Sequence, residues 1–195
     1  STAPSLFYEW NWPEAEKEFQ RAVELNPNSA DLHREYSVYL RRMGRLDDAI
    51  AEAKKACEVD PLVNDFAVSL GWAYYYARRF APAIQQFQKV LAGDNRSLAA
   101  RFGLAKAFEK NGMEKEAITQ WEEILGESNA AELAATLRRT YDRSGYQAAM
   151  KQLWQTQLHY FRKESQERYV SPIKFATLYA LLNEKEQALS WLEKA

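Results

Sequence analysis

The strongest constraint on this chain is a period of 34 residues that runs through much of its length. Alanine occupies every position of one series: Ala15, Ala49, Ala83 and Ala117. The same step joins Phe19, Ala53, Phe87 and Trp121, and it also joins Ala22, Ala56, Val90 and Ile124. A fixed period of this length predicts one supersecondary unit stacked on copies of itself. Such arrays present extended surfaces to partners.

Each repeat is predicted to contain two antiparallel helices. Between Ala30 and Val63, apolar residues recur at spacings of three and four in two separate runs, which is typical of helical faces. Gly44, between the runs, suits the left-handed residue that ends a helix. Pro61 stops the second helix because proline cannot continue one. The sequence therefore predicts an all-α fold of helix-turn-helix repeats.

These positions carry a resemblance to the tetratricopeptide repeat family. The third repeat matches the family pattern at Leu70-Gly71, Tyr74, Ala83 and Phe87. It departs from the pattern at Arg78, where glycine is usual, and at Asn95, where proline is usual. The resemblance implies a right-handed α-solenoid whose core holds Phe19, Phe87 and Trp121, with Tyr74 also at a core position.

We predict a single solenoid domain over residues 1–195. Its repeats would be a partial first repeat at 1–29, regular repeats at 30–63, 64–97 and 98–130, an irregular long repeat at 131–168 and a truncated last repeat at 169–195. Gly145 is expected to end a helix in the long repeat. The stretch from Tyr146 to Tyr169 contains no glycine or proline, which predicts one continuous helix.

Composition restricts the classes of function. The formal net charge is -1, which gives no overall electrostatic drive toward nucleic acid or an anionic membrane. No apolar run approaches the roughly 20 residues that span a bilayer, and the N-terminus lacks the basic and apolar segments of a signal peptide. We expect a cytoplasmic protein, or a periplasmic one if the chain is part of a membrane-anchored sensor.

Residues suited to catalysis or metal binding are sparse. With His33, His159 and the single Cys57, a metal site of the His/Cys type is not expected. Cys57 lies next to a core alanine and is expected to act as a small buried apolar residue. No glycine-rich phosphate loop, Gly-x-Ser-x-Gly elbow or His-Glu-x-x-His pair occurs. We predict neither enzyme activity nor a cofactor.

The resemblance implies that the first helix of each repeat lines a concave groove. The predicted partner-binding residues on these helices are Arg34, Val38, Arg41, Arg42, Asp65, Ser69, Trp72, Tyr75, Tyr76, Phe102, Lys106, Lys110 and Arg139. The same register places Val68 and Gly103 on the exposed face. Tyrosine, tryptophan and arginine are enriched at binding hot spots. Two interpretations of the aromatic group stay open: a peptide-binding floor with basic walls, or packing between neighbouring first helices.

One known function of the family is disfavoured by particular residues. Repeats that grip the C-terminal carboxylate of a chaperone use a lysine and asparagines, together with further basic residues. Here Arg34 stands at the lysine position, but Val38 and Ser69 occupy the asparagine positions. Neither side chain supplies the amide hydrogen bonds of such a clamp.

Three functions remain open, and all involve a protein or small-molecule partner. The first is a scaffold that binds a peptide or protein segment in the groove. The second is self-assembly, such as a homodimer, through uncapped ends where Leu6, Phe7, Tyr8, Trp10, Trp12, Trp191 and Leu192 are apolar. The third is a ligand-sensing region of a larger bacterial signalling protein. Gly71-Trp72 and the segment 168–172 are similar to repeats found beside winged-helix or protein-kinase domains.

Overall fold

The computed structural model describes residues 12–128 and 130–195. Over these two ranges the regular structure is helical, without strands. The chain divides into two compact units, Ser1–Gln120 and Trp121–Ala195. The apolar residues Leu6, Phe7, Tyr8 and Trp10, through which association is predicted, lie outside the described residues.

The helices follow one another with short connections. The first unit holds α1 (Trp12–Leu25), α2 (Ala30–Arg42), α3 (Leu46–Val59), α4 (Asn64–Tyr76), α5 (Phe80–Gly93), α6 (Leu98–Lys110) and the start of α7 (Glu114–Glu127). The second unit holds the end of α7, then α8 (Ala131–Glu164), α9 (Pro172–Leu181) and α10 (Lys185–Leu192). Helices pack in pairs, as α2 does on α3, α4 on α5 and α9 on α10. The predicted all-α fold of antiparallel helix-turn-helix repeats is confirmed.

The turns inside the helix pairs use a residue with a positive φ angle. Gly44 (φ 76°) and Gly112 (φ 77°) fill this position after α2 and α6, so the prediction for Gly44 is confirmed. Glycine enters the left-handed region readily because it has no Cβ. Arg78 (φ 59°) and Asn183 (φ 63°) take the same position after α4 and α9. Asparagine tolerates this region, whereas arginine is strained there by roughly 1–2 kcal/mol.

Gly145 divides α8 into two helical segments, since its backbone has φ 80° and ψ 178°. The predicted break at this glycine is therefore confirmed. The prediction of a continuous helix through Tyr169 is wrong, because the second segment ends at Glu164. The Ser165 hydroxyl donates to the Arg162 carbonyl at 2.8 Å. Val170 is then buried in the core of the second unit, which draws the chain away from the helix axis.

The period of the sequence corresponds to the core. All four members of the alanine series are completely buried: Ala15, Ala49, Ala83 and Ala117. Phe19, Phe87 and Trp121 are buried as predicted. Tyr74 is half-buried and packs against the cluster around Ile50 and Leu70. Small side chains at the alanine positions allow the two helices of a pair to approach closely, at the density of a protein interior.

The Phe87 ring on α5 lies against two glycines, Gly71 on α4 and Gly103 on α6. A Cβ atom on Gly71 would come within 2.5 Å of the ring, and one on Gly103 within 2.4 Å. No side chain fits at these distances unless Phe87 moves. The placement of Gly103 on the exposed face is therefore wrong, because Phe87 covers it. Val68, assigned to the same face, is also buried.

The second unit has its own aromatic core. Phe175 on α9 stacks on Trp191 of α10 with ring centroids 4.3 Å apart, and Leu158 and Val170 belong to the same cluster. The prediction that Trp191 faces the core is confirmed. The same prediction for Leu192 is wrong, since this residue is 54% exposed. Adjacent residues on a helix point about 100° apart, so Trp191 turns inward and Leu192 outward.

Candidate functional site

The first helices of consecutive repeats contact one another within the first unit. Helix α2 packs against α4, and α4 packs against α6. Their adjoining faces form one surface, and the predicted groove residues from Arg34 to Lys110 belong to these three helices. The stacking results from the repeat period, because each helix pair presents the same face to the next.

Four aromatic side chains form a contiguous group on this surface, which we term the aromatic patch: Trp72, Tyr75, Tyr76 and Phe102. Trp72 is central, with ring centroids 5.3 Å from Tyr75, 6.1 Å from Tyr76 and 6.0 Å from Phe102. The Trp72–Tyr75 pair is edge-to-face. Such pairs add about 0.5–1.5 kcal/mol beyond area burial. The structure therefore brings together the aromatic residues of α4 and α6 that the sequence analysis assigned to one group.

Exposure differs between members of the patch. Tyr76 is 52% exposed and Phe102 43% exposed, whereas Trp72 and Tyr75 are half-buried. Trp72 also packs edge-on against the core residue Phe87, at a centroid distance of 5.5 Å. The inner rings thus anchor the patch to the core, and the outer rings face solvent.

A guanidinium group covers one edge of the patch. The Cζ atom of Arg41 on α2 lies 4.8 Å from the centroid of the Tyr76 ring, within cation–π range. Burial lowers the pKa of Arg41 from its ordinary value. The pKa of Tyr75 is raised, chiefly by burial and also by the negative charge of Glu109. Reduced hydration of this kind strengthens polar interactions with a bound group.

The α6 side of the surface is less basic than the sequence suggested. Lys106 Nζ donates to Glu109 Oε2 at 2.7 Å, and Lys110 Nζ lies 4.0 Å from Glu109 Oε1. One carboxylate therefore faces both lysines. The wall that the sequence predicts as basic carries a mixed charge.

The remaining predicted residues have varied environments. On α2 and α4, Val38 and Ser69 are half-buried, while Arg42 and Asp65 are exposed. Arg34 Nη2 lies 2.6 Å from Glu35 Oε1, so its charge is already paired within α2. Arg139 belongs to α8 in the second unit, where it donates to Thr136 Oγ1 at 2.9 Å.

The second repeat contains a buried polar bridge that was not predicted from the sequence. His33 on α2 is 2% exposed. Its Nε2 atom lies 2.8 Å from the Pro27 carbonyl oxygen, and its Nδ1 atom lies 2.6 Å from Glu52 Oε2 on α3. Both ring nitrogens therefore lie within hydrogen-bond distance of an oxygen. The side chain links the loop before α2 to the second helix of the pair.

The fourth repeat builds the same bridge from different residues. Arg101 on α6 donates from Nη2 to the Asn95 carbonyl, and from Nη1 to Gln120 Oε1 at 3.5 Å. Three residues of the fourth repeat lie two periods after their counterparts in the sequence: Arg101 after His33, Asn95 after Pro27, and Gln120 after Glu52. Alignment of the repeats at these three positions is the signal that could have predicted the bridge.

The third repeat has Ala67 where its neighbours have His33 and Arg101. A cavity of about 110 Å³ opens at this point, bordered by Ala67, Pro61, Gln86 and Cys57 among other residues. Cys57, which the sequence predicts to be buried, is half-buried. Burial raises the pKa of its thiol, while the positive charge of Lys89 acts in the opposite direction. We term this space the third-repeat cavity.

Over 12–128 and 130–195, no three His, Cys, Asp or Glu side chains group in a way that could hold a metal ion. In the same part of the chain, every helix is too short or too polar to cross a membrane.

Two curated relatives share part of this sequence. The small glutamine-rich tetratricopeptide repeat-containing protein 2 of Mycosarcoma maydis is 30% identical over 92 residues, which cover 47% of this chain and 26% of the relative. The Hsp70-Hsp90 organizing protein 3 of Arabidopsis thaliana is 23% identical over 105 residues, which cover 54% of this chain and 19% of the relative. The chain thus spans about a quarter of the first relative and about a fifth of the second.

Solved structures with low sequence identity share the fold. A tetratricopeptide repeat protein from Parabacteroides merdae has a TM-score of 0.68 at 16% identity, with 98% of this chain and 74% of that chain covered. MamA has a TM-score of 0.59 at 14% identity, with 100% and 92% covered. The family model described as tetratricopeptide repeat matches residues 2–62 and 68–132, more than half of the sequence. The chain belongs to the tetratricopeptide repeat family.

Proposed function

We propose that the first unit is a non-catalytic scaffold that binds a peptide or protein segment on the aromatic patch. The observation that carries the proposal is the pair of exposed rings, Tyr76 and Phe102, held on adjoining helices by the half-buried Trp72. Clustered exposed rings of this kind mark interaction sites. Aromatic and arginine side chains also dominate measured binding hot spots.

The chemistry of the patch suggests the chemistry of its ligand. Apolar side chains would cover Tyr76 and Phe102. One carboxylate would complement Arg41, whose guanidinium lies over Tyr76. A strongly acidic ligand is not required, because Glu109 already offsets Lys106 and Lys110. The name of the Arabidopsis relative refers to two other proteins, Hsp70 and Hsp90, which supports a protein partner.

Peptides selected from a random display library on the wild-type protein provide the test. Their affinity is measured by calorimetry for the wild type and for the double variant Tyr76→Ala, Phe102→Ala. Both side chains are exposed, so the variant should stay folded. If they are hot spots, the loss should be about 2 kcal/mol or more. Tyr160→Ala removes an exposed ring of α8 and should leave the affinity unchanged.

The proposal fails if the double variant is as stable as the wild type and still binds every selected peptide with the same affinity. A loss of affinity in Tyr160→Ala of the same size would also contradict it, because the effect would then not depend on the patch.

A second candidate function is self-assembly through the second unit. Leu181, Leu189 and Leu192 on α9 and α10 are exposed, and exposed apolar groups favour association. A self-assembling chain should sediment as a dimer or larger species at micromolar concentration. Leu189→Glu with Leu192→Glu should then restore the monomer. A wild-type monomer at high concentration would exclude this candidate.

A further inference from the structure

We infer that the third-repeat cavity is an arginine-binding site, which holds the guanidinium of a partner protein between the Pro61 carbonyl and the Gln86 side chain. This site is separate from the aromatic patch. It rests on the proposed function only in that the arginine comes from a protein.

The fourth repeat shows how the chain holds a guanidinium in this setting. There Arg101 bridges the Asn95 carbonyl and Gln120 Oε1. Pro61 and Gln86 stand one period before those two acceptors. The acceptor side chain is a glutamine in both repeats, whereas the second repeat pairs Glu52 with a histidine. The third repeat therefore keeps the acceptor of the arginine bridge and lacks its arginine.

The size of the cavity fits the missing group. Ala67 carries only a methyl group, so the volume that the longer side chains of His33 and Arg101 fill in their own repeats remains open here. One water molecule needs about 10–15 Å³ of cavity volume measured in the same way. The cavity of about 110 Å³ accommodates a group of several heavy atoms, such as a planar guanidinium.

Two charges of opposite sign border the cavity, Asp60 and Lys89. The lysine opposes a bound cation, and the aspartate favours it. In the next repeat, the position of Lys89 is occupied by Glu123. The variant Lys89→Glu should therefore bind a guanidinium about two- to five-fold more tightly, the range set by exposed charge pairs.

Cys57 makes occupancy of the cavity measurable, since it borders the cavity and is the single cysteine of the chain. Its alkylation rate at constant alkaline pH is measured with increasing N-acetyl-arginine methylamide. N-acetyl-citrulline methylamide is the neutral control of matched shape, and the capped lysine is the control for charge. Capped arginine should slow alkylation at millimolar concentration, and the two controls should not. Equal slowing by all three, or by none, would overturn the inference.

Agmatine separates a protein source from a free metabolite, because it carries the guanidinium without backbone amides. Stronger protection by the capped arginine supports a protein partner. Protection by agmatine that equals or exceeds it would contradict that source.

Two variants test the residues directly. Ala67→Arg supplies an internal guanidinium, so it should slow alkylation of Cys57 without ligand and abolish further protection. Gln86→Leu removes the acceptor but leaves the cavity, so capped arginine should no longer protect. Retained protection in Gln86→Leu would overturn the inference even if Ala67→Arg does not fold. The variant Tyr76→Ala, Phe102→Ala should keep full protection, so failure of the proposed function can be recognised separately.

Discussion

The third repeat (α4–α5) and its two neighbours (α2–α3 and α6–α7) bury the same periodic residues but differ at other positions. Each repeat buries the same alanine series. At other positions of the same register, the third repeat departs from both neighbours: it has Trp72 against Val38 and Lys106, Ala67 against His33 and Arg101, and Arg78 against Gly44 and Gly112. Each departure has a local structural consequence.

These departures show how a periodic scaffold can carry structural features that do not repeat. The periodic residues set the spacing of the helices, because each helix pair packs on a neighbour of the same architecture. The non-periodic residues are released from that requirement. In the third repeat they produce an exposed aromatic patch on one side and an open cavity beside the loop between repeats.

The largest expected effect concerns Phe87, whose counterpart in the second repeat is Ala53. Phe87→Ala should lower the free energy of unfolding by about 3–5 kcal/mol, because the cavity left behind cannot be refilled. Gly71 and Gly103 have no side chains that could move into it. Denaturant titration measures the loss, and Phe102→Ala is the matched exposed control. A loss as small as that of the control would mean that Phe87 does not hold α4 and α6 together.

The converse change adds a methyl group beneath the same ring. Gly103→Ala should cost about 1–3 kcal/mol, since overpacking displaces Phe87. Gly126→Ala is the control, because a Cβ at Gly126 meets nothing within 4 Å. In that helix the change should stabilise by up to about 1 kcal/mol. Equal effects of the two variants on the denaturation midpoint would contradict the close contact.

The polar bridge should have an intermediate effect. His33→Ala removes both hydrogen bonds and leaves the buried Glu52 with Lys55, which donates to Oε1 at 2.8 Å. We expect a loss of about 1–3 kcal/mol in the free energy of unfolding. His159→Ala, at an exposed position of α8, should change it little. If only His159→Ala lowered the free energy of unfolding, the bridge at His33 would not stabilise the fold. The comparison of the three repeats at this position would then have no basis.

The smallest effect concerns the turns. Gly44→Ala should cost about 1 kcal/mol, because alanine is strained at positive φ. Arg78→Gly relieves such strain. It also gives the unfolded chain more conformational entropy, which favours unfolding by about 0.4–1 kcal/mol. The net change in stability should therefore be near zero or slightly stabilising. Thermal unfolding of both variants decides the matter. A clear loss of stability in Arg78→Gly would show that the arginine side chain itself contributes to the fold.

The sequence predicted those features that depend on the period. Helix pairs, the turn at Gly44, the break at Gly145 and the buried alanines all follow from spacing and from residue type. The sequence could not predict that Phe87 covers Gly103, because a helical register assigns a face and does not measure the reach of a neighbouring ring. It also missed the pairing of Glu109 with Lys106, which depends on side-chain rotamers. The bridges of His33 and Arg101 were accessible in principle, through comparison of the repeats at the same position.

Fluorine NMR of the protein labelled with 5-fluorotryptophan tests directly whether a peptide binds on the aromatic patch. The chain has six tryptophans, and Trp72→Phe identifies the resonance of Trp72. Titration with a peptide selected on the wild-type protein should shift the Trp72 resonance. The resonances of Trp154 and Trp191, which belong to the second unit, should stay in place. An unchanged Trp72 resonance at saturating peptide, with a shift at Trp191 instead, would contradict binding on the aromatic patch.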